Sequence, residues 1–387
     1  MLMTNKAPTV AVLLESSHHI SRMMILGILD YVREHGPWNV SLIHGGPRDI
    51  HLPQADTWHG DGLIGRIPSD AVAREIAAAH LPTVLIDPEE SHLKSNRRLA
   101  RCSSISCDST ATGRMVAERF LRLGFTSFAF VGGKPELDWS RRREAAFRER
   151  LAQDGFEPAV FPVNRFSVEA ERPRLMKWLA RLPPATALFA ANDLRGRDVL
   201  RAALLAGIAV PEQLSVMGVN DDTIVCETSQ PRLSSVKMDA RRAGYVAAKL
   251  LDRLLRHPNE PRHVAFFSPL EIVERESSDL PHNGDPVVIE ALRVIRAKAA
   301  HGLRLSNVAE QLGLSVRTLE NHLTAAGISG KKEIERRRLD AVDRLIRSTR
   351  LPLAEIARQC GYATLSHLST TYRRTFGKPP GVVRQQV

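Results

Sequence analysis

Two segments near the carboxyl end of the 387-residue chain repeat one pattern, and that repeat narrows the choice of fold more than any other feature. The first reads Asn307-Val308-Ala309-Glu310-Gln311-Leu312-Gly313-Leu314-Ser315. The second reads Glu355-Ile356-Ala357-Arg358-Gln359-Cys360-Gly361-Tyr362-Ala363-Thr364. Each places an apolar residue before an Ala, then three residues, then a Gly. A small Ala lets a second helix cross close by, and a Gly accepts the positive φ of a sharp turn. Ser315 and Thr364 follow at the place where a hydroxyl caps a second helix by accepting a backbone N–H. Counted from those caps, Leu319 and Leu368 fall four residues on, and Leu323 and Tyr372 eight, which puts them on one inward face. The spacing predicts two helix-turn-helix motifs. A long basic helix over residues 331–347 would fix their relative position, so that two recognition helices could enter successive major grooves about 34 Å apart. The competing fold for such a pattern is a plain helical bundle.

The charge distribution supports a polyanionic partner for this segment. The chain carries a net charge of +11. Residues 285–387 hold 18 Lys and Arg against 9 Asp and Glu, whereas residues 1–284 hold 36 against 34. A basic module behind a near-neutral one is the footprint of nucleic-acid binding, although a solvated basic surface would look the same by charge alone.

The front of the chain follows a different rhythm. Apolar strands are predicted at 9–15, 38–43, 61–65, 83–87, 104–107, 127–132, 187–191 and 215–219. Helices are predicted near 21–35, 69–80, 110–123, 141–153, 169–181, 194–206 and 240–256. Gly124, Gly155 and Gly207 close three of these helices, as a left-handed cap requires. Buried strands separated by helices imply parallel sheets, and such sheets bind ligands beyond the carboxyl ends of their strands. The expected architecture is therefore α/β with two lobes of parallel sheet over residues 1–275, a polar linker at 276–286, and an all-α domain with two helix-turn-helix motifs over 287–387. No apolar run reaches the roughly 18 residues of a membrane span. The first residues lack the pattern of a secretory signal, so a cytoplasmic protein is expected. Cys102, Cys107, Cys226 and Cys360 are scattered without zinc spacing and read as buried free thiols.

The tail resembles the AraC-type DNA-binding domain. The resemblance is carried by Cys360-Gly361-Tyr362, by the run Tyr372-Arg373-Arg374-Thr375-Phe376-Gly377-Lys378-Pro379-Pro380, and by Arg384. The first motif is looser, because Leu323 stands where an aromatic is common. The order of domains resembles the xylose-operon activator group, whose front domain is similar to LacI-type effector domains and periplasmic sugar-binding proteins. That resemblance implies a sugar effector, a double-stranded DNA operator and a homodimer. It favours activation over repression, and leaves RNA polymerase open as a further partner.

Candidate contacts follow residue by residue. Outward positions of the first recognition helix are Arg317, Glu320 and Asn321, whose side chains can read guanine, cytosine and adenine respectively. In the second they are Leu365, Ser366, His367 and Thr370. Arg373, Arg374 and Lys378 are placed to meet phosphates. For the sugar, Ser21 and Arg22 lie past the first strand, and Asp108 matches a LacI-type ligand-contact position. Trp139 supplies an aromatic face, and Arg143 matches the LacI-type effector-contact arginine. Asn192 and Asp193 follow a strand like the family's Asn-Asp pair. Asn220 and Asp221 follow another; the family usually has Asp where this chain has Asn220. An amide accepts and donates where a carboxylate only accepts, so the preferred sugar is expected to differ from xylose, or Asp221 takes over the role. Against these stand simpler readings: Asp108 as a helix cap, Trp139 as core, Asn192-Asp193 as a turn. No cofactor or metal is expected. No G-x-S-x-G elbow, P-loop, Rossmann fingerprint or H-E-x-x-H motif is present, which argues against a sugar-converting enzyme tethered to DNA. A different carbohydrate or a sugar acid remains the alternative effector.

Overall fold

The structure, a computed structural model, describes residues 7–42, 51–52, 59–134, 137–163, 168–278 and 285–385. The chain divides into two compact units, Met1–Leu280 and Pro281–Val387.

The first unit alternates strands and helices. Its first lobe begins with β1 (Thr9–Leu13), α1 (His19–His35), β2 (Asn39–Leu42), β3 (Gly62–Gly65), α2 (Asp70–Ala79), β4 (Thr83–Ile86), α3 (Glu90–Ser95) and β5 (Ser103–Cys107), from which α4 (Ser109–Arg122) crosses to the second lobe. The second lobe follows with β6 (Ser127–Val131), α5 (Asp138–Ala152), β7 (Ala159–Val160), α6 (Val168–Leu179), β8 (Thr186–Ala190), α7 (Asp193–Leu205), β9 (Leu214–Val219), α8 (Thr223–Thr228) and β10 (Ser234–Met238). Then α9 (Ala240–Arg256) leads to β11 (Val264–Phe267) and β12 (Pro269–Val273). One sheet has the order β11-β5-β4-β3-β1-β2 and the other β12-β10-β9-β8-β6-β7. The chain thus passes to the second sheet after β5, returns after β10, and leaves again after β11. Every described pairing is parallel except that of β12 with β10. The two parallel-sheet lobes expected from the sequence are present, with one antiparallel strand at the edge of the second sheet. After β11 the chain has only one residue before β12, too few for a crossover helix.

Strands β3, β4, β8 and β9 are buried along their whole length. They are covered on both faces, which is why they read as continuous apolar runs. Two glycines let α1 and α9 approach closely. A Cβ on Gly27 would stand 1.8 Å from the Arg241 carbonyl oxygen, and one on Gly244 would stand 1.8 Å from that of Met24. Gly113 does the same between α4 and α5, where a Cβ would meet the Arg143 carbonyl oxygen at 2.4 Å.

The expected linker is shorter than 276–286. Ser277 and Ser278 are buried, and Ser277 both donates to and accepts from the Val216 backbone. Hydrogen bonds that satisfy Ser277 inside the lobe outweigh the polar composition that marks this stretch as linker. At the other end Asp285 caps the next helix through the Val287 N–H at 2.8 Å. The remainder, 279–284, lies outside the described residues, as does Ile43 at the end of the second predicted strand.

The second unit is helical throughout its described residues: α10 (Pro286–Lys298), α11 (Leu305–Gln311), α12 (Val316–Ala325), α13 (Gly330–Ser348), α14 (Leu353–Gln359), α15 (Leu365–Phe376) and α16 (Pro380–Gln385). The pairs α11–α12 and α14–α15 are helix-turn-helix motifs. Gly313 and Gly361 take φ +67° and +72° in the turns. Ser315 Oγ accepts from the Thr318 N–H at 3.0 Å, and Thr364 Oγ1 from the His367 N–H at 3.1 Å. Ala309, Ala357, Leu319, Leu323, Leu368 and Tyr372 are all buried. Leu339, Val342 and Ile346 of α13 pack into one core with Ile356, Leu368 and Tyr372, so the long helix carries the second motif on its own apolar stripe. Among the described residues no helix is long and apolar enough to cross a membrane, and no His, Cys, Asp and Glu group could hold a metal ion.

Candidate effector cleft and nucleic-acid interface

A cleft of about 560 Å³ lies in the first unit, with walls from both lobes. Its residues sit where strands end. On the first lobe, Glu15 follows β1, Arg66 follows β3 and Asp87 follows β4. Arg66 Nη1 binds Glu15 Oε1 at 2.9 Å, and Nη2 binds Asp87 Oδ2 at 3.1 Å. Asp87 also accepts from the Cys107 N–H at 2.7 Å. Burial would raise the Glu15 carboxyl, but the Arg66 guanidinium and the neighbouring His18 outweigh it and hold the group down at about 2. Burial pushes the Cys107 thiol up to about 11, so this sulfur packs as a neutral group.

On the second lobe, Arg143 of α5 is buried beneath Trp139, with its guanidinium carbon 4.9 Å from the ring centroid. Its Nη1 donates to the Ala191 carbonyl at 2.5 Å, which fixes the fork at the end of β8. Asn192 caps α7 through the Arg195 N–H at 2.9 Å and also lines the cleft. Arg195 Nε donates to the Gly132 carbonyl at 2.9 Å, and its Nη1 binds Glu171 at 2.7 Å. Asp193 accepts from Ser235 Oγ at 2.5 Å and from the Asp222 N–H at 2.7 Å. Asn220 and Asp221 take φ +109° and +50° at the turn after β9, a region that Asn and Asp enter more readily than most residues.

Of the residues singled out in the sequence, Trp139, Arg143, Asn192, Asp193 and Asn220 line this cleft. Ser21, Arg22, Asp108 and Asp221 do not. Ser21 is buried on α1. Arg22 donates to the carbonyls of Ser16 and Ser17, both at 2.9 Å, and shapes the turn between β1 and α1. Asp108 caps α4 through the Ala111 N–H at 2.8 Å, the simpler of the two roles its position allows. Asp221 is held by Arg275 Nη2 at 2.8 Å, while Asp222 faces the cleft in its place. The sequence reading passed over Glu15, Arg66, Asp87, Glu171 and Arg195. Glu15, Arg66 and Asp87 are charged residues close after a strand, with charges that alternate in sign; Glu171 and Arg195 lie inside α6 and α7 and carried no such signal.

In the second unit, α12 exposes Arg317, Glu320 and Asn321, and α15 exposes Leu365, Ser366, His367 and Thr370. Arg373, Arg374 and Lys378 are exposed at the end of α15 and just beyond it. Arg374 is paired with Glu335 at 3.0 Å. Three arginines of α13 are engaged within the unit, while Lys331, Lys332, Arg344 and Arg347 are exposed: Arg336 and Arg337 both bind Glu333, and Arg338 donates to the carbonyls of Ala299 and Leu303 while its guanidinium lies 5.5 Å from the Tyr362 ring centroid. These arginines hold the helices together, which takes them out of the count of free phosphate-binding cations. Tyr372 donates its hydroxyl to Asp343 and ties α15 to α13.

Two families match this chain. A periplasmic binding protein-like domain covers residues 117–278, and a helix-turn-helix domain covers 308–386. The chain is similar to the xylose operon regulatory protein of Escherichia coli K12, with 29% identity over 391 residues, covering 98% of this chain and 97% of that protein. It is also similar to the xylose operon regulatory protein of Haemophilus influenzae, with 25% identity over 388 residues and 98% of each chain covered. Among solved structures it matches that of a xylose-binding transcription activator with a TM-score of 0.80 and 28% identity, over 99% of both chains.

Proposed function

We propose that this chain, an AraC-type transcription regulator with a periplasmic-binding-protein-like effector domain, binds a pentose such as xylose in its interlobe cleft and activates transcription from its operator as a homodimer in the cytoplasm. The relatives it matches from end to end are regulators of xylose operons, and one of the solved relatives is an activator that binds xylose. They are regulators and not enzymes, and the present chain is not an enzyme either.

The observation that carries the sugar assignment is the cleft's lining. A volume of about 560 Å³ falls within the roughly 300–1,000 Å³ of small-molecule sites. The indole of Trp139 offers an apolar face for sugar C–H groups. Arg143, Asn192, Asp193 and Asn220 offer planar donors and acceptors that discriminate hydroxyl positions. On the other unit, Arg317, Glu320 and Asn321 of α12 and Leu365, Ser366, His367 and Thr370 of α15 are the base-reading set. Arg373 and Lys378 contact phosphate, and Arg374 joins them when it leaves Glu335. Sugar binding shifts the balance between two lobe arrangements that differ in sugar affinity, and the DNA-binding units report that balance.

A thermal-shift screen of the full chain against pentoses, hexoses and sugar acids tests the assignment, because a ligand that prefers the native state raises the melting temperature. A pentose is expected to give the largest rise, with Asp222, which faces the cleft where Asp221 does not, supplying the carboxylate that Asn220 lacks. Sugar acids are included because Asn220 replaces a carboxylate that would repel them. Arg143→Ala is expected to remove the rise while leaving basal operator binding in place. A full shift in that variant would take Arg143 out of the site.

A further inference from the structure

Beside the cleft, the two lobes are tied by a reciprocal pair of hydrogen bonds. The Glu89 carboxylate, on the turn between β4 and α3 in the first lobe, accepts from the Asp138 backbone N–H at 2.6 Å. The Asp138 carboxylate, at the start of α5 in the second lobe, accepts from the Glu90 backbone N–H at 2.5 Å. Its other oxygen binds Arg141. Asp138 is buried and Glu89 is half-buried. Both line a small recess with Ser106, Cys107 and Ser109, against the crossover from β5 to α4. Each lobe therefore lends a carboxylate to the other lobe's backbone. Any opening that separates α3 from α5 breaks both bonds together.

We propose that Glu89 and Asp138 form the closure clasp of the effector domain, two positioning residues that stabilise the lobes in the arrangement that encloses the effector and so set its affinity. The proposal rests on the reading of the cleft as the effector site. The bonds of the Asp138 carboxylate to the Glu90 N–H and to Arg141 are charge-assisted and stronger than neutral ones, and Glu89 offers its acceptor oxygen to the Asp138 N–H whether or not it carries a proton. When only the closed fraction binds ligand, the apparent affinity falls in proportion to that fraction.

The clasp also carries a pH signature. The groups facing Glu89 are Asp87 and Glu90 from its own segment, Asp138, Arg141 and Arg142 from α5, and the neutral Cys107 thiol from β5. Burial, together with the charges of Asp138 and Asp87 and against the Asp138 N–H and Arg141, pushes the Glu89 carboxyl up to about 7. Once the lobes part, the group returns toward its ordinary value. The closed state then binds a proton more firmly than the open one. Closure is thus favoured as pH falls through about 7 and levels off near the ordinary carboxylate range.

Fluorescence transfer on the full chain tests this, with dyes at the exposed positions Arg74 on α2 and Arg201 on α7. In the absence of sugar at pH 6, where Glu89 is largely protonated in the closed state, Glu89→Ala and Asp138→Ala should each raise the open-to-closed ratio roughly tenfold, the scale of one lost hydrogen bond. The wild type should become more closed from pH 8 to pH 6. Glu89→Gln, which keeps an acceptor but cannot titrate, should lose that dependence even if the alanine variants fold poorly. Titration with D-xylose should show the same fold-weakening as the distance change. A wild type that ignores D-xylose would defeat the pentose reading, while the sugar-free distances would still decide the clasp. Identical distance distributions in wild type and Glu89→Ala, or a pH dependence that survives in Glu89→Gln, would overturn it.

Discussion

Asp193 is 2% exposed at the start of α7, and its two acceptor bonds, to Ser235 and the Asp222 N–H, only partly replace water. Burial pushes its carboxyl up to about 7; the two bonds act against that, and the charges of Asp221 and Asp222 add to it. The sign of the linkage follows. The folded state holds this proton up to about pH 7, whereas the unfolded chain releases it near pH 4. Stability from this group is full below about pH 4 and declines as pH rises toward 7. Asp193→Asn removes that decline. The melting temperature of the variant should therefore gain on the wild type between pH 5 and pH 8, and parallel profiles would show that Asp193 is ionised throughout. The same scale explains which site residues could be read in advance. Trp139, Arg143, Asn192 and Asn220 carry a family pattern or a chemistry suited to sugars. Glu15, Arg66 and Asp87 carry neither, because each is explained only by the other two, and their meeting is set by the order of strands in the sheet. Asp108 and Arg22 were singled out by resemblance to ligand-contact positions; in the structure they bond locally, to the Ala111 N–H and to the Ser16 and Ser17 carbonyls.

Elements were legible where burial was achieved with apolar side chains. β10 was not, although all of it but Lys237 is buried. Its sequence, Ser-Ser-Val-Lys-Met, hides a core strand because the two hydroxyls are satisfied inside: Ser234 donates to the Arg275 carbonyl at 2.9 Å and Ser235 donates to Asp193. β11 exposes Val264 and Phe266 at the sheet edge, so its pattern resembled a surface loop. α3 and α8 have six residues each, below the length at which helical periodicity shows. The helix-turn-helix pairs were legible because every constraint is local: a small residue, a turn glycine, a capping hydroxyl and two apolar residues on one face. The two turn glycines nevertheless differ in cost. At Gly313 a Cβ would meet nothing within 4 Å, whereas at Gly361 it would stand 2.6 Å from the Gly302 backbone. Gly313→Ala should therefore cost only the left-handed strain of about 1–2 kcal/mol. Gly361→Ala should cost clearly more, because the turn after α10 must move as well. Urea unfolding of the full chain compares them, and equal midpoints would mean that the contact between Gly361 and Gly302 is loose in solution.

At the scale of the whole molecule, charge and function divide with the chain: the excess positive charge belongs to the second unit, and the first is nearly neutral. Not all of that excess is free to meet DNA. Arg336, Arg337 and Arg338 are spent on internal contacts, and Arg374 is paired with Glu335, so the net charge overstates the number of phosphates the unit can neutralise. Operator affinity should still fall steeply with salt, with a slope of about −0.9 per phosphate contact. Variants should then separate by role. Lys378→Ala, which removes a proposed phosphate contact, should weaken all sequences alike and reduce the slope by about 1. Arg374→Ala should change the slope less, since its loss also frees Glu335 and costs an ion pair already present without DNA. Arg317→Ala should leave the slope nearly intact and relax preference at one base pair by about 1–3 kcal/mol. Binding measured across a salt series, on the operator and on single-base variants of it, distinguishes these outcomes. A uniform loss on every sequence in Arg317→Ala would assign that side chain to the backbone and leave base reading in the first motif to Glu320 and Asn321.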